Sequence, residues 1–278
     1  MLHLAYLHTY VHVMYHRRQE SSDILARWSQ RWTDNKLGWH KTEPHQFLIK
    51  YGSELVPQFL GTDEGVACLA DEKDPKEKVR IFVPLCGKTM DMAFLAHHTS
   101  VDEVVGCDGI RKALTDFSEE HDDLGIEEVS SVGAFDSFKG KGITLLKGNH
   151  FELDDEVTGG KFDGILDRAS IVAINPDLRE KYVDIMGQLI KPGGSILLVT
   201  VDRREGTQEG MSAGPPFSVD DKEIQRLYAN LDWVDSVTKL EECDEFQDEE
   251  SKSRYTMQGV DSLFELVYVI KAKPAQEK

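Results

Sequence analysis

The stretch Val79–Asp108 constrains this chain more than any other. Val79–Val83 is a short apolar run rich in β-branched residues and reads as a buried strand. The turn Pro84-Leu85-Cys86-Gly87-Lys88 follows, then Gly87–His97 as a helix with Met90, Phe94 and Leu95 on one face. Val104–Cys107 is a second apolar run, and it stops on Asp108. A strand, a glycine turn, a helix and an acid-ended strand make half of a nucleotide cradle. The glycine lets backbone approach a ligand closely, and the helix start offers N–H groups without partners. An acid about twenty residues further on, at the next strand end, can accept from both hydroxyls of a ribose. Asp108 is equally suited to cap the helix that starts near Ile110, and the turn alone is also an ordinary strand-to-helix connection.

The alternation continues downstream. Ile110–His121 reads as a helix, and Ile143–Leu146 and Phe162–Leu166 as strands, the latter running into Asp167. Asp177–Ile190 is an amphipathic helix closed by Lys191-Pro192-Gly193-Gly194. Ser195–Val201 is the most strand-like run, and Val219–Asn230 is a helix with Ser218 as its cap. Val234–Leu240 and Leu263–Lys271 are two strands with only a polar connection between them. Upstream, Ser21-Ser22-Asp23 reads as the cap of a helix carrying Trp28 and Trp32, and His45–Leu60 as a second helix. Strands alternating with helices predict an α/β fold, a parallel sheet covered by helices on both faces, and the last two strands should pair antiparallel. The expected architecture is Rossmann-like: a mostly parallel seven-stranded sheet ending in an antiparallel hairpin. That is similar to class I methyltransferases and unlike a dinucleotide-binding sheet, whose second half repeats the first. One domain is expected over residues 23–272, with an extension over 1–22 read as disordered and a tail over 273–278.

Composition narrows the partners. The 278 residues carry a formal net charge of -18, which repels phosphate backbones and anionic lipid, so neither nucleic acid nor membrane is expected. The acidic runs Asp71–Lys78 and Glu241–Glu250 read as solvated loops. Cys68, Cys86, Cys107 and Cys243 form no CxxC pair, and His40, His45 and His150 form no ligand cluster, so no metal is assigned. No apolar run reaches the ~18 residues of a membrane span. The first residues lack the basic stretch and cleavage site of a secretory signal, and free thiols suit a reducing compartment, so the expected location is cytoplasmic. No coiled-coil seam is visible, and a monomer is expected.

Three further features suggest chemistry. Asp167-Arg168 puts a charge pair at a strand end, where Arg168 either grips a ligand anion or serves a structural ion pair. Trp28 and Trp32 lie four apart on one helix face, suited to a cationic sulfonium or a purine ring, or simply to packing the helix down. Trp39 and His40 follow in a loop that can line an acceptor site.

Several blocks recur together in one order: Trp28-Ser29-Gln30-Arg31-Trp32, Phe82-Val83-Pro84-Leu85-Cys86-Gly87-Lys88, Val105-Gly106-Cys107-Asp108, Asp167-Arg168-Ala169 with Val172-Ala173-Ile174-Asn175-Pro176, and Gly214-Pro215-Pro216-Phe217-Ser218-Val219. In these the chain resembles the thiopurine S-methyltransferase family, from about Ile24 to Lys271. The resemblance implies S-adenosyl-L-methionine as methyl donor and a small thiol as acceptor. It implies a cofactor site at Trp28, Leu85, Asp108 and Arg168, with Asn149 and His150 near the adenine; Trp32 and Gly87 join them on the residue pattern. Asp108 stands where the family usually has Glu, and Trp39 where Phe is common. Trp39, Pro216 and Arg226 are the implied acceptor contacts. Heteroaromatic thiols ionise near neutrality, so no strong base is required, and Arg168, with Arg226, is expected to favour the anionic acceptor. Other readings stay open: methylation of halide, sulfide or selenium species; a nicotinamide-dependent oxidoreductase, since Asp108 would serve it equally; or a catalytically silent cofactor binder.

Overall fold

The computed structural model describes residues 24–37, 40–56, 59 and 78–276. Its strands are β1 (Val79–Pro84), β2 (Val101–Asp108), β3 (Glu127–Val132), β4 (Phe135–Gly140), β5 (Ile143–Lys147), β6 (Phe162–Arg168), β7 (Ile190–Gly206), β8 (Val234–Asp244) and β9 (Val260–Ala272). The helices are α1 (24–33), α2 (Gln46–Tyr51), α3 (Met90–Ala96), α4 (Arg111–Glu120), α5 (Arg179–Leu189), α6 (Gln208–Ser212), α7 (Asp221–Tyr228) and α8 (Glu249–Thr256). One sheet runs β3-β4-β5-β2-β1-β6-β7-β9-β8. Strands β5, β2, β1, β6 and β7 are parallel; β3 and β4 extend one edge antiparallel, and β9 and β8 the other.

The sheet therefore has nine strands and is mixed, not the expected mostly parallel seven. The two missed strands, β3 and β4, lie in polar sequence. β3 is exposed along nearly its whole length and shows no apolar run to read. The expected hairpin is present, with β9 antiparallel against β7 and β8 outside it. Its connection is not merely polar: it holds a short turn, Glu245–Gln247, and α8, capped by Asp248, whose carboxylate accepts from the Ser251 N–H at 2.8 Å. Helix α8 buries only Ser251, so no apolar stripe announces it. Helix α7 is capped by Asp220, which accepts from the Glu223 N–H, and not by Ser218, whose hydroxyl accepts from the Arg203 N–H instead. The predicted helix over His45–Leu60 is α2 followed by a single turn, Gly52–Glu54. The extension 1–22, the cap Ser21-Ser22-Asp23 and Trp39 lie outside the described residues.

Neighbouring β1 residues Ile81 and Phe82 are both fully buried, on opposite faces of the pleat. One face packs Phe82, Phe162, Leu198 and Ile270 under Tyr182 and Tyr228; the other packs Ile81, Val104 and Leu145 under Phe47, Met92 and Phe117. Burial on both sides makes the central strands continuous apolar runs, which is why they are readable. The chain leaves β1 toward β2 and β5, then returns to β6 and β7 on β1's other side. This reversal opens a crevice beyond the carboxyl ends of β1, β2 and β6.

Candidate active site

A cavity of about 900 Å³ occupies that crevice. Its floor is set by backbone geometry. Gly87 adopts φ +54°, and a Cβ there would lie 3.3 Å from the Trp32 ring, so the turn requires glycine twice over. Leu85 at the end of β1 and Ala169 at the end of β6 also have positive φ, +40° and +60°, though neither is glycine. Both line the cavity, and strain of this kind collects at ligand sites.

Asp108 ties the floor together. One carboxylate oxygen accepts from the Gly87 N–H at 2.9 Å, the other from the Ile110 N–H at 2.8 Å. It thus does cap the turn into α4, but it also fixes the glycine turn. A carboxylate has about four acceptor positions, so this one retains capacity for a ligand's hydroxyls. Burial pushes its pKa up to about 6, against the backbone hydrogen bonds that favour the charge.

Of the two tryptophans, Trp32 is 4% exposed and packs with Ile110 and Ala113, holding α1 to the domain. Trp28 is half-buried beside it, with the Arg31 guanidinium 5.4 Å from its ring. Both line the cavity. His150 lies between Phe82 and Tyr182, its ring 4.8 Å from that of Tyr182. It is 4% exposed, neither ring nitrogen has a partner, and burial depresses its pKa to about 3, so it is neutral. Asn149 lines the cavity too, but its side chain caps the following turn and donates to Glu152.

Asp167 and Arg168 are not partners. Successive strand residues point to opposite faces. Asp167 is fully buried on one side, where the Tyr182 hydroxyl donates to it at 2.8 Å. Arg168 turns the other way: its Nε donates to Asp91 at 2.8 Å and its Nη2 to the Thr89 hydroxyl at 2.9 Å. Asp91 also accepts from the His45 N–H and the Thr89 hydroxyl. Burial works against its ionisation, but Arg168 and these donors hold its pKa below the usual carboxylate value. The α3 residue that fixes Arg168 was not visible in the sequence as a site residue.

Pro216 lines the cavity and is fastened by a residue sequence reading passed over. The buried Arg203 donates to the carbonyls of Gly210, Ala213 and Pro216 at 2.5–2.7 Å. Arg226 sits at the rim, half exposed and bound to Glu180 and Glu223. Glu245, Arg254 and Glu265 line the same cavity and were also missed. Glu245 lies within the acidic run read as a solvated loop, which the structure corrects: the run spans the end of β8, a turn and the start of α8, and Glu245 faces inward. Only its pairing across β8 and β9 reveals this, with Cys243 opposite Glu265. Among the described residues no group of His, Cys, Asp and Glu side chains is gathered as a metal site, and no helix is long and apolar enough to cross a membrane.

Comparison with known proteins agrees with this geometry. A family model described as thiopurine S-methyltransferase matches residues 24–273. A thiopurine S-methyltransferase of Pseudomonas aeruginosa is 34% identical over 244 residues, 87% of this chain and 96% of the relative. That of Bos taurus is 32% identical over 251 residues, 90% of each. Among solved structures, the 1,6-didemethyltoxoflavin-N1-methyltransferase of Burkholderia thailandensis, with bound S-adenosylhomocysteine, aligns at TM-score 0.52 and 14% identity over 92% of this chain and 90% of that one. An arsenic(III) S-adenosylmethionine methyltransferase of Chlamydomonas reinhardtii aligns at TM-score 0.52 and 18% identity over 85% and 77%. At such identities the two structures speak for the class I methyltransferase fold alone.

Proposed function

The chain belongs to the thiopurine S-methyltransferase family, and from that premise we propose how its cavity divides the work of an S-adenosylmethionine-dependent thiol S-methyltransferase. The donor end is formed by Trp28, Leu85, Gly87, Asp108 and His150, and the acceptor end by Arg168, Pro216 and the residues around them. The observation that carries this division is Asp108. It is buried at the end of β2, pinned by two amides, and retains acceptor capacity toward the cavity.

The residues present fit the donor. The Asp108 carboxylate suits a ribose diol, the unpartnered nitrogens of neutral His150 suit a purine edge, and the Trp28 face suits a cation. The turn has one glycine where a pyrophosphate loop often has three, and this donor carries no phosphate. When bound, S-adenosylmethionine supplies a methyl carbon made electrophilic by its sulfonium. The chain itself positions, desolvates and charges. Arg168, held in place by Asp91 and Thr89, retains N–H donors and a full positive charge for an anionic sulfur or a substrate carboxylate. Its charge lowers the pKa of a thiol beside it. A partly enclosed cavity favours attack of a thiolate on a sulfonium, because the opposite charges cancel as the reaction proceeds. The same reading keeps one domain over residues 23–272, and a cytosolic monomer that acts on small aromatic and heterocyclic thiols.

Two experiments test it. Calorimetry should show S-adenosylhomocysteine binding at one site and no comparable binding of nicotinamide dinucleotides. Arg168→Ala should raise the KM for an aromatic thiol and lower turnover; unchanged values would remove Arg168 from the acceptor site.

A further inference from the structure

The acceptor end holds two carboxyl groups that no step above uses. Glu245 opens the turn after β8, Glu265 lies on β9, and both line the cavity with Arg168 and Pro216. Their side chains hydrogen-bond to each other. Two carboxyl groups can do so only if one of them keeps a proton. Burial, and then the Glu265 charge, raise Glu245, so the proton resides there. Burial also opposes ionisation of Glu265, but hydrogen bonds from His45 and Glu245, with the charge of Arg168, outweigh it and keep Glu265 ionised. The His45 Nδ1 accepts from the Phe47 N–H at 3.3 Å, which leaves the proton on Nε2, 3.7 Å from Glu265. Lys41 and Asp248 also act on Glu245, and Cys243, Arg254 and Tyr255 complete the groups around the pair. The cavity therefore contains a carboxylate, backed by a neighbouring carboxylic acid, on the side where Arg168 awaits an acceptor.

An acidic heteroaromatic thiol needs no such group, because it arrives as a thiolate. An alkyl thiol, with a pKa of about 8.5, arrives protonated at neutral pH and cannot attack efficiently in that form. We propose that the Glu245–Glu265 pair is the general base for acceptors that enter as un-ionised thiols, and that it extends the substrate class from acidic aromatic thiols to weakly acidic alkyl thiols. The thiol S–H bond breaks and its proton passes to the Glu265 carboxylate. The sulfur forms a bond to the methyl carbon while the carbon–sulfonium bond breaks. That electron pair stays on the sulfur of S-adenosylhomocysteine, and the proton leaves the pair for solvent. A base is most effective when its pKa lies near the working pH, and mutual interaction moves this pair in that direction. The proposal rests on the methyltransferase reading of the same cavity.

The test compares 2-mercaptoethanol with 4-nitrothiophenol, which is ionised at neutral pH. Glu265→Gln should lower kcat/KM about a hundredfold for 2-mercaptoethanol and less than about threefold for 4-nitrothiophenol. The alkyl-thiol loss should shrink as pH is raised toward the thiol's own pKa. Glu245→Gln, which keeps a donor to Glu265, should retain most alkyl-thiol activity and move its acid limb to lower pH. An equal loss for both thiols in Glu265→Gln, or a loss that does not change with pH, would overturn the proposal while leaving the methyltransferase reading intact. So would a wild-type enzyme that methylates 4-nitrothiophenol and not 2-mercaptoethanol. A wild-type enzyme that methylates neither would defeat the underlying reading itself. If Glu265→Gln fails to fold, the wild-type profile decides. With a base, the alkyl-thiol rate levels off well below the thiol pKa of about 8.5; a rate that climbs with thiolate up to that pH overturns the base.

Discussion

The two ends of the cavity are built differently. The donor end comes largely from one contiguous stretch, Val79–Ile110, and its key contacts are side chain to backbone: Asp108 to the amides of Gly87 and Ile110. The acceptor end is assembled from distant parts of the chain. Arg168 on β6 depends on Asp91 in α3, Asp91 on the backbone of His45, and Pro216 on Arg203 of β7. A site made of local backbone geometry tolerates little change in its residues. A site made of long-range polar ties can change its lining while its anchors stay, which suits a fixed donor and a variable acceptor.

Substitutions that strike one end and spare the other would break or sharpen that contrast. The largest effect is expected at Asp91. Asp91→Ala leaves Arg168 without its carboxylate partner in a largely buried setting, and stability should fall by about 3–5 kcal/mol in denaturant melts. Gly87→Val should follow, since a β-branched residue at φ +54° beside Trp32 costs about 1–3 kcal/mol. Calorimetry should show S-adenosylhomocysteine affinity falling by about ten- to a hundredfold, with Arg168 and its ties undisturbed.

Asp108→Asn should weaken S-adenosylhomocysteine by a similar or smaller factor, about tenfold, because one charged acceptor is replaced by an amide. Here pH separates the ends. Ribose hydroxyls donate to the ionised carboxylate, whose pKa in the free protein is about 6. Protonation competes with binding, so wild-type affinity should decline as pH falls through about 6, and that of the Asn variant should not. The same affinity in both proteins at every pH would remove Asp108 from the ribose site. The smallest effect is expected for Arg226→Ala. Its charge is already matched by Glu180 and Glu223 at the rim, so kcat/KM for an aromatic thiol should change less than about threefold. A larger loss would bring Arg226 inside the acceptor end after all.

The same contrast explains what could be read from the sequence. The parallel core was legible because strands buried on both faces must be apolar throughout, and the donor loop because its glycine and acid recur at a fixed interval. Strands β3 and β4 were not, since β3 lies open to solvent and needs no apolar pattern. Asp91 looks like any acid early in a helix, and Glu245 like one more charge in an acidic run; only the Arg168 contact and the β8–β9 pairing give them roles. Arg168 was recognisable by its place at a strand end, but its partner was not, because Asp167 beside it faces the other side of the sheet. Local periodicity carries information about elements, and long-range ties become visible only when the chain is folded.

The central claim is that this cavity moves a methyl group from a sulfonium to a thiol sulfur. Incubating the purified chain with methyl-labelled S-adenosylmethionine and an aromatic thiol tests it most directly. The account predicts labelled aryl methyl thioether and one equivalent of S-adenosylhomocysteine, formed by wild type and strongly reduced by Gly87→Val. Tight S-adenosylhomocysteine binding with no labelled thioether from any aromatic, heterocyclic or alkyl thiol would contradict it.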